Sequence, residues 1–160
     1  MEIERKFLIK ELPANLANYP FHVIEQGYLS TGPVVRVRRQ DETYYMTYKG
    51  EGLLAHEEYN LPLTAEAYQH LLQKADGNII RKKRYLIPIE DTALTIELDI
   101  FEPPFAPLVI AEVEFTSIEE ANAFIAPDWF EKDVTSDRRY HNSNIAGTTI
   151  QGTGWCHRID

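Results

Sequence analysis

The chain has 160 residues, with 16 Lys and Arg against 25 Asp and Glu, for a formal charge of -9. That balance argues against a nonspecific duplex-DNA or anionic-membrane binder, because such proteins present net basic surface. A single cysteine, Cys156, excludes an internal disulfide and any cysteine-based zinc site.

The hydrophobic share of 44% is that of a globular chain, long enough for one domain with a substantial core. No apolar leader core opens the sequence and no run reaches membrane-spanning length, so a soluble, cytoplasmic protein is expected. Strand patterns dominate. Along Met1 to Ile9, period-2 alternation puts Glu2, Glu4 and Lys6 on one face and Ile3 and Phe7 on the other. Leu12 to Pro20 reads as a connection broken by two prolines. His22 to Ser30 is the second strand, with Ile24, Gln26 and Tyr28 sharing a face. After the Thr31-Gly32-Pro33 turn, Val34 to Arg39 alternates Val35 and Val37 with Arg36 and Arg38. Thr43 to Lys49 places Tyr45, Thr47 and Lys49 together, and Ala55 to Leu63 sets Glu58 and Asn60 against Tyr59 and Leu61.

At Thr64 the period changes. Tyr68, Leu71, Leu72 and Ala75 recur at helical spacing, with Thr64 as the cap and Gly77 as the terminator. Ile79 to Ile89 returns to strand with Lys82 and Arg84 on one face. Ala93 to Phe101 follows, carrying Glu97 and Asp99, and Leu108 to Phe115 is the last expected strand, carrying Glu112 and Glu114. Ser117 to Glu120 matches a capping box for a second helix, and a third is expected over Thr135 to Ala146, ended by Gly147. Hairpin-length connections favour antiparallel pairing, so the fold class is α+β, with about eight antiparallel strands and a few helices. Residues 1–147 are expected to form one domain, followed by a tail over 148–160 with no periodicity.

The polar faces carry the functional signal. The acids are Glu2, Glu4, Glu58, Glu97, Asp99, Glu112 and Glu114; the bases are Lys6, Arg36, Arg38, Lys49, Lys82 and Arg84. A sheet with one wet face accounts for any single pair of these. It does not account for the set, because like charges sit together strand by strand and repel unless each has an external counter-ion. Carboxylate pairs suit hard divalent cations such as Mg²⁺ and Mn²⁺, while guanidinium and ammonium pairs suit phosphate oxygens. A ligand with several phosphates and its metal satisfies both. About eight strands suffice to close a barrel around one small ligand. The charges would then line the lumen, with Ile3, Phe7, Val35, Val37, Leu98, Val113 and Phe115 facing outward.

Taken in order, Glu2-Ile3-Glu4-Arg5-Lys6, Gln26-Gly27-Tyr28-Leu29, Arg36-Val37-Arg38, Thr47-Tyr48-Lys49, Lys82-Lys83-Arg84-Tyr85, Glu97-Leu98-Asp99, Glu112-Val113-Glu114 and Asp137-Arg138-Arg139 resemble the CYTH superfamily, or triphosphate tunnel metalloenzymes. The overall look is nearest to the short bacterial members that hydrolyse inorganic triphosphate. The resemblance implies a closed eight-stranded tunnel and Mg²⁺- or Mn²⁺-dependent hydrolysis of a small triphosphate to pyrophosphate and phosphate. It implies phosphate contacts from Lys6, Arg36, Arg38, Lys49, Lys82 and Arg84, with Arg138 or Arg139 adding a cation. It places metal on Glu2, Glu4, Asp99, Glu112 and Glu114. Tyr28, Lys6 and Glu2 are the expected catalytic groups: Tyr28 assists proton transfer or positions water, and Glu2, with Glu114, orients the attacking water. Family members are often homodimers.

One strand departs from the family pattern. Arg-x-Glu-x-Glu reads here as His56-Glu57-Glu58-Tyr59-Asn60, which puts substrate preference in question. None of the five histidines shows metal-ligand spacing, and most are expected at the surface, with His56 at the tunnel mouth. Charge pattern alone leaves open an adenylate cyclase, a nucleoside or thiamine triphosphatase, and a non-catalytic polyphosphate- or nucleotide-binding module. Retention of the acids argues against the last.

Overall fold

The strands form one antiparallel sheet that curls back on itself. In this computed structural model, residues 1–148 are described. The strands are β1 (Glu2–Ile9), β2 (Phe21–Thr31), β3 (Val34–Gln40), β4 (Thr43–Lys49), β5 (Ala55–His56), β6 (Glu58–Pro62), β7 (Asp76–Pro88), β8 (Thr95–Phe101), β9 (Val109–Phe115) and β10 (Phe130–Asp133). The helices are α1 (Ala65–Leu72), α2 (Ile118–Ala123) and α3 (Asn142–Ala146). Around the ring the order is β1-β9-β8-β7-β2-β3-β4-β6. The two-residue β5 nearly closes it by pairing Glu2 with His56 and Ile3 with Ala55. β10 lies outside the ring, on the other half of the same edge of β1.

The expected strand Ala55 to Leu63 is thus divided. Glu58 to Pro62 stays on β4, while Ala55 and His56 turn onto β1. The break falls at Glu57, whose carbonyl accepts from Gly50 N at 2.8 Å. One run of chain serves two neighbours, and that makes the closure.

Other expectations are corrected. Leu108 to Phe115 is not the last strand: β10 follows it, too short for alternation to be legible. Thr64 does cap α1, its hydroxyl accepting from Ala67 N, but Gly77 does not end it. Gly77 lies in β7 at φ +69°, where a side chain would be strained and would meet the Ala146 carbonyl. The third helix is broken. Asp137 accepts from Arg139 N over a single 3₁₀ turn, His141 is extended, and only then does α3 begin. Of the tail expected at 148–160, only Thr148 is among the described residues; Cys156 and His157 lie outside them.

Two apolar clusters hold the barrel. On the outer face of β1, β9 and β8, Ile3, Phe7, Leu98, Val113 and Phe115 are buried with Ala121 and Phe130. Across the ring, α1 lies over β2 and β3, and Val37 is fully buried. Gly27, paired with Val37, permits this approach: a Cβ there would stand 2.8 Å from Ala75 Cβ and 2.9 Å from Leu72 Cδ1.

The second cluster lies inside the ring. Along β7 the lumen face runs from Arg84 and Lys82 to Ile80; on β8 it runs from Asp99 to Phe101, and on β9 from Glu112 to Ile110. Val134, Tyr140, Ile145 and Ala146 pack against these apolar ends and against Tyr28. The lumen is therefore not charged throughout, as its sequence pattern suggests. One end is an apolar stopper made with α3. Asn78 secures it by donating to the carbonyls of Ala146 (3.0 Å) and Thr148 (2.8 Å).

Candidate active site

Above the stopper, the lumen holds a cavity of about 620 Å³, within the usual range for small-ligand sites. Every charged strand aims at it because the pleat sends alternate side chains to one face. What the chain order conceals is the order around the ring. The acidic strands β1, β9 and β8 are neighbours, as are the strands that supply the cations, β7, β3 and β4, with β2 between them. The cavity therefore has an acidic half and a basic half.

Compensation is concentrated where the halves meet. At the β7/β8 junction, Lys82 Nζ lies 2.6 Å from Asp99, and Arg84 grips Asp99 twice, at 2.7 and 2.9 Å. Arg84 also reaches Glu97 at 2.8 Å and Glu112 at 3.3 Å. At the opposite junction, Lys49 Nζ stands 3.1 Å from Glu2 and 3.6 Å from Glu58. The His56 imidazole meets Glu2 at 2.5 Å. Lys6 is the cation inside the acidic half, 3.5 Å from Glu112 and 3.8 Å from Glu4.

Away from the junctions, charge is left over. Among the described residues, neither Arg36 nor Arg38 has an acidic partner within ion-pair distance. Arg36 donates to Thr47 at 3.1 Å and keeps a buried Nε with no hydrogen-bond partner. Arg38 is held by Gln26 at 2.8 Å and by Tyr45 at 3.4 Å. Opposite them in the ring, Glu114 pairs in register with Glu4 and, among the described residues, has no cationic partner within ion-pair distance. Its pKa is raised by burial and by the charges of Glu2, Glu97, Glu58 and Glu4. Burial, with Arg36 and Arg84, lowers Arg38.

Most residues singled out in the sequence reach the cavity. Glu2, Glu4, Lys6, Tyr28, Arg36, Arg38, Lys49, Lys82, Arg84, Glu112, Glu114 and Arg138 line it. Two do not. Asp99 is fully buried in the wall, both its oxygens taken by Lys82 and Arg84, so it presents no free oxygen to a metal. Arg139 is exposed and pairs with Asp137 at 2.7 Å. Tyr28 is buried beside Gln26, whose Nε2 donates to the Tyr28 hydroxyl at 3.0 Å.

Other lining residues had no catalytic, phosphate or metal role expected of them, although Glu58 and Glu97 belong to the charged set expected in the lumen. Glu58 and Glu97 share the parity of the site residues on their strands. His56 lies at the cavity, as expected of it, and is buried there; His141, expected at the surface, also lines the cavity. Asn142 accepts from Lys82 at 2.9 Å and from Gln26 at 3.4 Å. It comes from α3, and no strand pattern signals it.

A nearly closed antiparallel barrel around a cavity of about 620 Å³ with an acidic and a basic half defines a charged tunnel. The CYTH domain model matches residues 1–145, and the chain belongs to this family. An inorganic triphosphatase of Nitrosomonas europaea is 40% identical over 149 residues, covering 91% of this chain and 96% of that protein. An inorganic triphosphatase of Acetivibrio thermocellus is 36% identical over 150 residues, covering 90% and 92%. The crystal structure of the inorganic triphosphatase NE1496 superposes with a TM-score of 0.70 at 36% identity, over 93% of this chain and 96% of that one.

Proposed function

We propose that the protein hydrolyses inorganic triphosphate to pyrophosphate and phosphate, with a divalent cation, inside the barrel. The observation that carries this reading is the pair of uncompensated guanidiniums, Arg36 and Arg38, placed across the ring from the uncompensated carboxylate Glu114. A phosphate chain satisfies the first and a metal the second. The named relatives above supply the choice of triphosphate.

The donor set fits a hard cation. Glu4 and Glu114 are opposed on paired strands, Glu112 and Glu2 flank them, and carboxylate oxygens suit Mg²⁺ and Mn²⁺ equally. When bound, that cation supplies charge neutralisation on phosphate oxygens and acidifies a water. The protein supplies position and field, which is most of what phosphoryl transfer demands. Arg36, Arg38, Lys82 and Arg84 take the phosphate oxygens on the basic side, with Lys6, Lys49 and Arg138 from the other directions. Their rigidity comes from Thr47, Gln26, Asp99 and Asn142, which hold the cations before substrate arrives. Asp99 thus acts as an anchor for cations rather than as a ligand. Glu2 and Glu114 orient the attacking water, and Tyr28, its hydroxyl fixed by Gln26, positions the reacting end. The apolar stopper keeps water from the far end.

Among the described residues, no helix is long and apolar enough to cross a membrane. With its acidic charge and single cysteine, we place the protein in the cytoplasm, acting on a small molecule rather than on nucleic acid or membrane. The deciding assay compares phosphate release from tripolyphosphate, pyrophosphate, ATP and thiamine triphosphate with Mg²⁺ or Mn²⁺. Glu4→Gln serves as the control. Fast tripolyphosphate turnover, lost with chelator and with the substitution, supports the reading. Conversion of ATP to cyclic nucleotide and pyrophosphate, or tripolyphosphate binding without turnover, overturns it.

A further inference from the structure

We infer that Asn60 is a positioning residue whose neutral amide keeps the Arg36 guanidinium uncompensated, and so sets the affinity of the cavity for an inorganic polyphosphate. Asn60 stands on the edge strand β6, where the family pattern carries an acid, and it lines the cavity. Its part in turnover rests on the triphosphatase reading; its effect on polyanion binding does not.

A row of side chains crosses three strands. Arg36 pairs in register with Thr47, and Thr47 with Asn60. Arg36 Nη2 donates to Thr47 Oγ1 at 3.1 Å, Thr47 Oγ1 donates to Asn60 Oδ1 at 2.6 Å, and Asn60 Nδ2 donates to Glu58 Oε1 at 3.0 Å. The direction of each bond is forced by the one before it. A guanidinium can only donate, so the Thr47 oxygen accepts from Arg36 and its single proton goes to Asn60. That turns the amide oxygen toward Thr47 and the amide NH₂ toward Glu58, which as a carboxylate can only accept. Thr47 is fully buried, so water does not substitute at its hydroxyl.

An acid at position 60 would undo the arrangement at both ends. Its carboxylate would still accept from Thr47, but it would stand two hydrogen bonds from Arg36 and give that guanidinium an acidic neighbour. It would also face Glu58 with no proton to offer, setting like charges side by side. The amide does neither. It separates Arg36, in the basic half, from Glu58, at the Lys49 junction, by accepting on one side and donating on the other. Arg36 thereby keeps its charge for a ligand, and its buried Nε stays without a hydrogen-bond partner. Phosphate oxygens are the acceptors that such a guanidinium takes best.

The test measures tripolyphosphate binding to the full chain by calorimetry, with chelator present so that an added carboxylate cannot act through a metal. Asn60→Asp keeps the shape and the acceptor for Thr47 and adds charge; Asn60→Leu keeps neutrality and loses both hydrogen bonds. Asn60→Asp is expected to weaken binding about 10-fold and Asn60→Leu less than about threefold, as couplings within one network allow. In an Arg36→Gln background, or Arg36→Met if that variant fails to fold, the effect of Asn60→Asp should shrink to less than about threefold. With Mg²⁺ restored, the added charge should appear in KM and leave kcat within about twofold. Equal losses for Asp and Leu, a loss undiminished without Arg36, or a loss confined to kcat overturns the inference. Wild-type turnover with unaltered binding by Asn60→Asp removes the inference alone. Binding with the expected pattern in a protein that leaves tripolyphosphate intact when metal is added keeps it and removes the triphosphatase reading. A wild type that does not bind tripolyphosphate overturns both.

Discussion

Lys82 and Asp99 meet across β7 and β8 with Nζ and Oδ2 2.6 Å apart, and neither side chain is exposed at all. Asp99 is also the only described residue that takes both an ammonium and a bidentate guanidinium. Removing one partner from such a buried group leaves uncompensated charge and costs about 3–5 kcal/mol. Asp99→Asn is therefore expected to lower Tm by about 6–20 °C, at about 2–4 °C per kcal/mol for a chain of this size. Divalent-cation binding should persist, because Asp99 has no free oxygen. A variant with unchanged Tm and abolished Mn²⁺ binding would reverse the two roles.

Lys82 should take up a proton when triphosphate binds. Burial lowers its pKa to about 7, with Arg84 and Arg38 pushing the same way against the upward pull of Asp99. A polyanion in the cavity restores the charged form. At pH 8, binding should draw a proton from the buffer, and near pH 6, where Lys82 already holds its proton, it should not. Calorimetry in two buffers of different ionisation enthalpy reads this directly, and Lys82→Met should abolish it. For folding, the sign is set by the depressed value. Between about 7 and the ordinary 10.5 the unfolded chain keeps a proton that the folded chain loses. Through this group, the ligand-free protein gains stability as pH rises across that window.

Arg138 and Arg139 are neighbours with different destinations. Arg138 lines the cavity, whereas Arg139 is exposed on Asp137. A charge-assisted contact is worth about 1.5–3 kcal/mol. Arg138→Ala should thus raise KM for tripolyphosphate by about 10- to 100-fold, while Arg139→Ala leaves it within about twofold. Steady-state kinetics on the two variants decides it, and equal effects would refute the assignment.

Gly77 guards the stopper. At φ +69° its missing Cβ would sit 2.4 Å from the Ala146 carbonyl oxygen. Gly77→Ala combines backbone strain of about 1–3 kcal/mol with displacement of α3. Thermal unfolding should show a loss of a few degrees, and hydrogen exchange should show faster exchange of the α3 amides. An unaltered Tm together with unaltered exchange would mean that α3 does not depend on this contact.

Local rules made the wall residues legible. Side-chain direction alternates along a strand whatever it pairs with. The pairs Glu2/Glu4, Arg36/Arg38, Lys82/Arg84 and Glu112/Glu114 could therefore be assigned to one face from the chain alone. The same parity placed Ile3, Phe7, Leu98 and Val113 outside, where the second face of the sheet buries them. The family motifs follow from that alternation.

Which strand lies beside which is set by burial and closure between segments far apart in sequence, and only the tertiary structure decided it. β1 pairs with β9 and β5 rather than with β2, which is what gathers the acids into one half of the ring and the bases into the other. The division of one expected strand into β5 and β6 brought His56 to Glu2, a contact absent from any local pattern. Folding back the segment that ends in α3 turned one end of the lumen into an apolar stopper and supplied Asn142 to Lys82. The sequence by itself determined which side chains face inward, because that is a property of each residue's own backbone. Which charges meet a partner and which stay free for a ligand depended on neighbours that only the closed sheet provides.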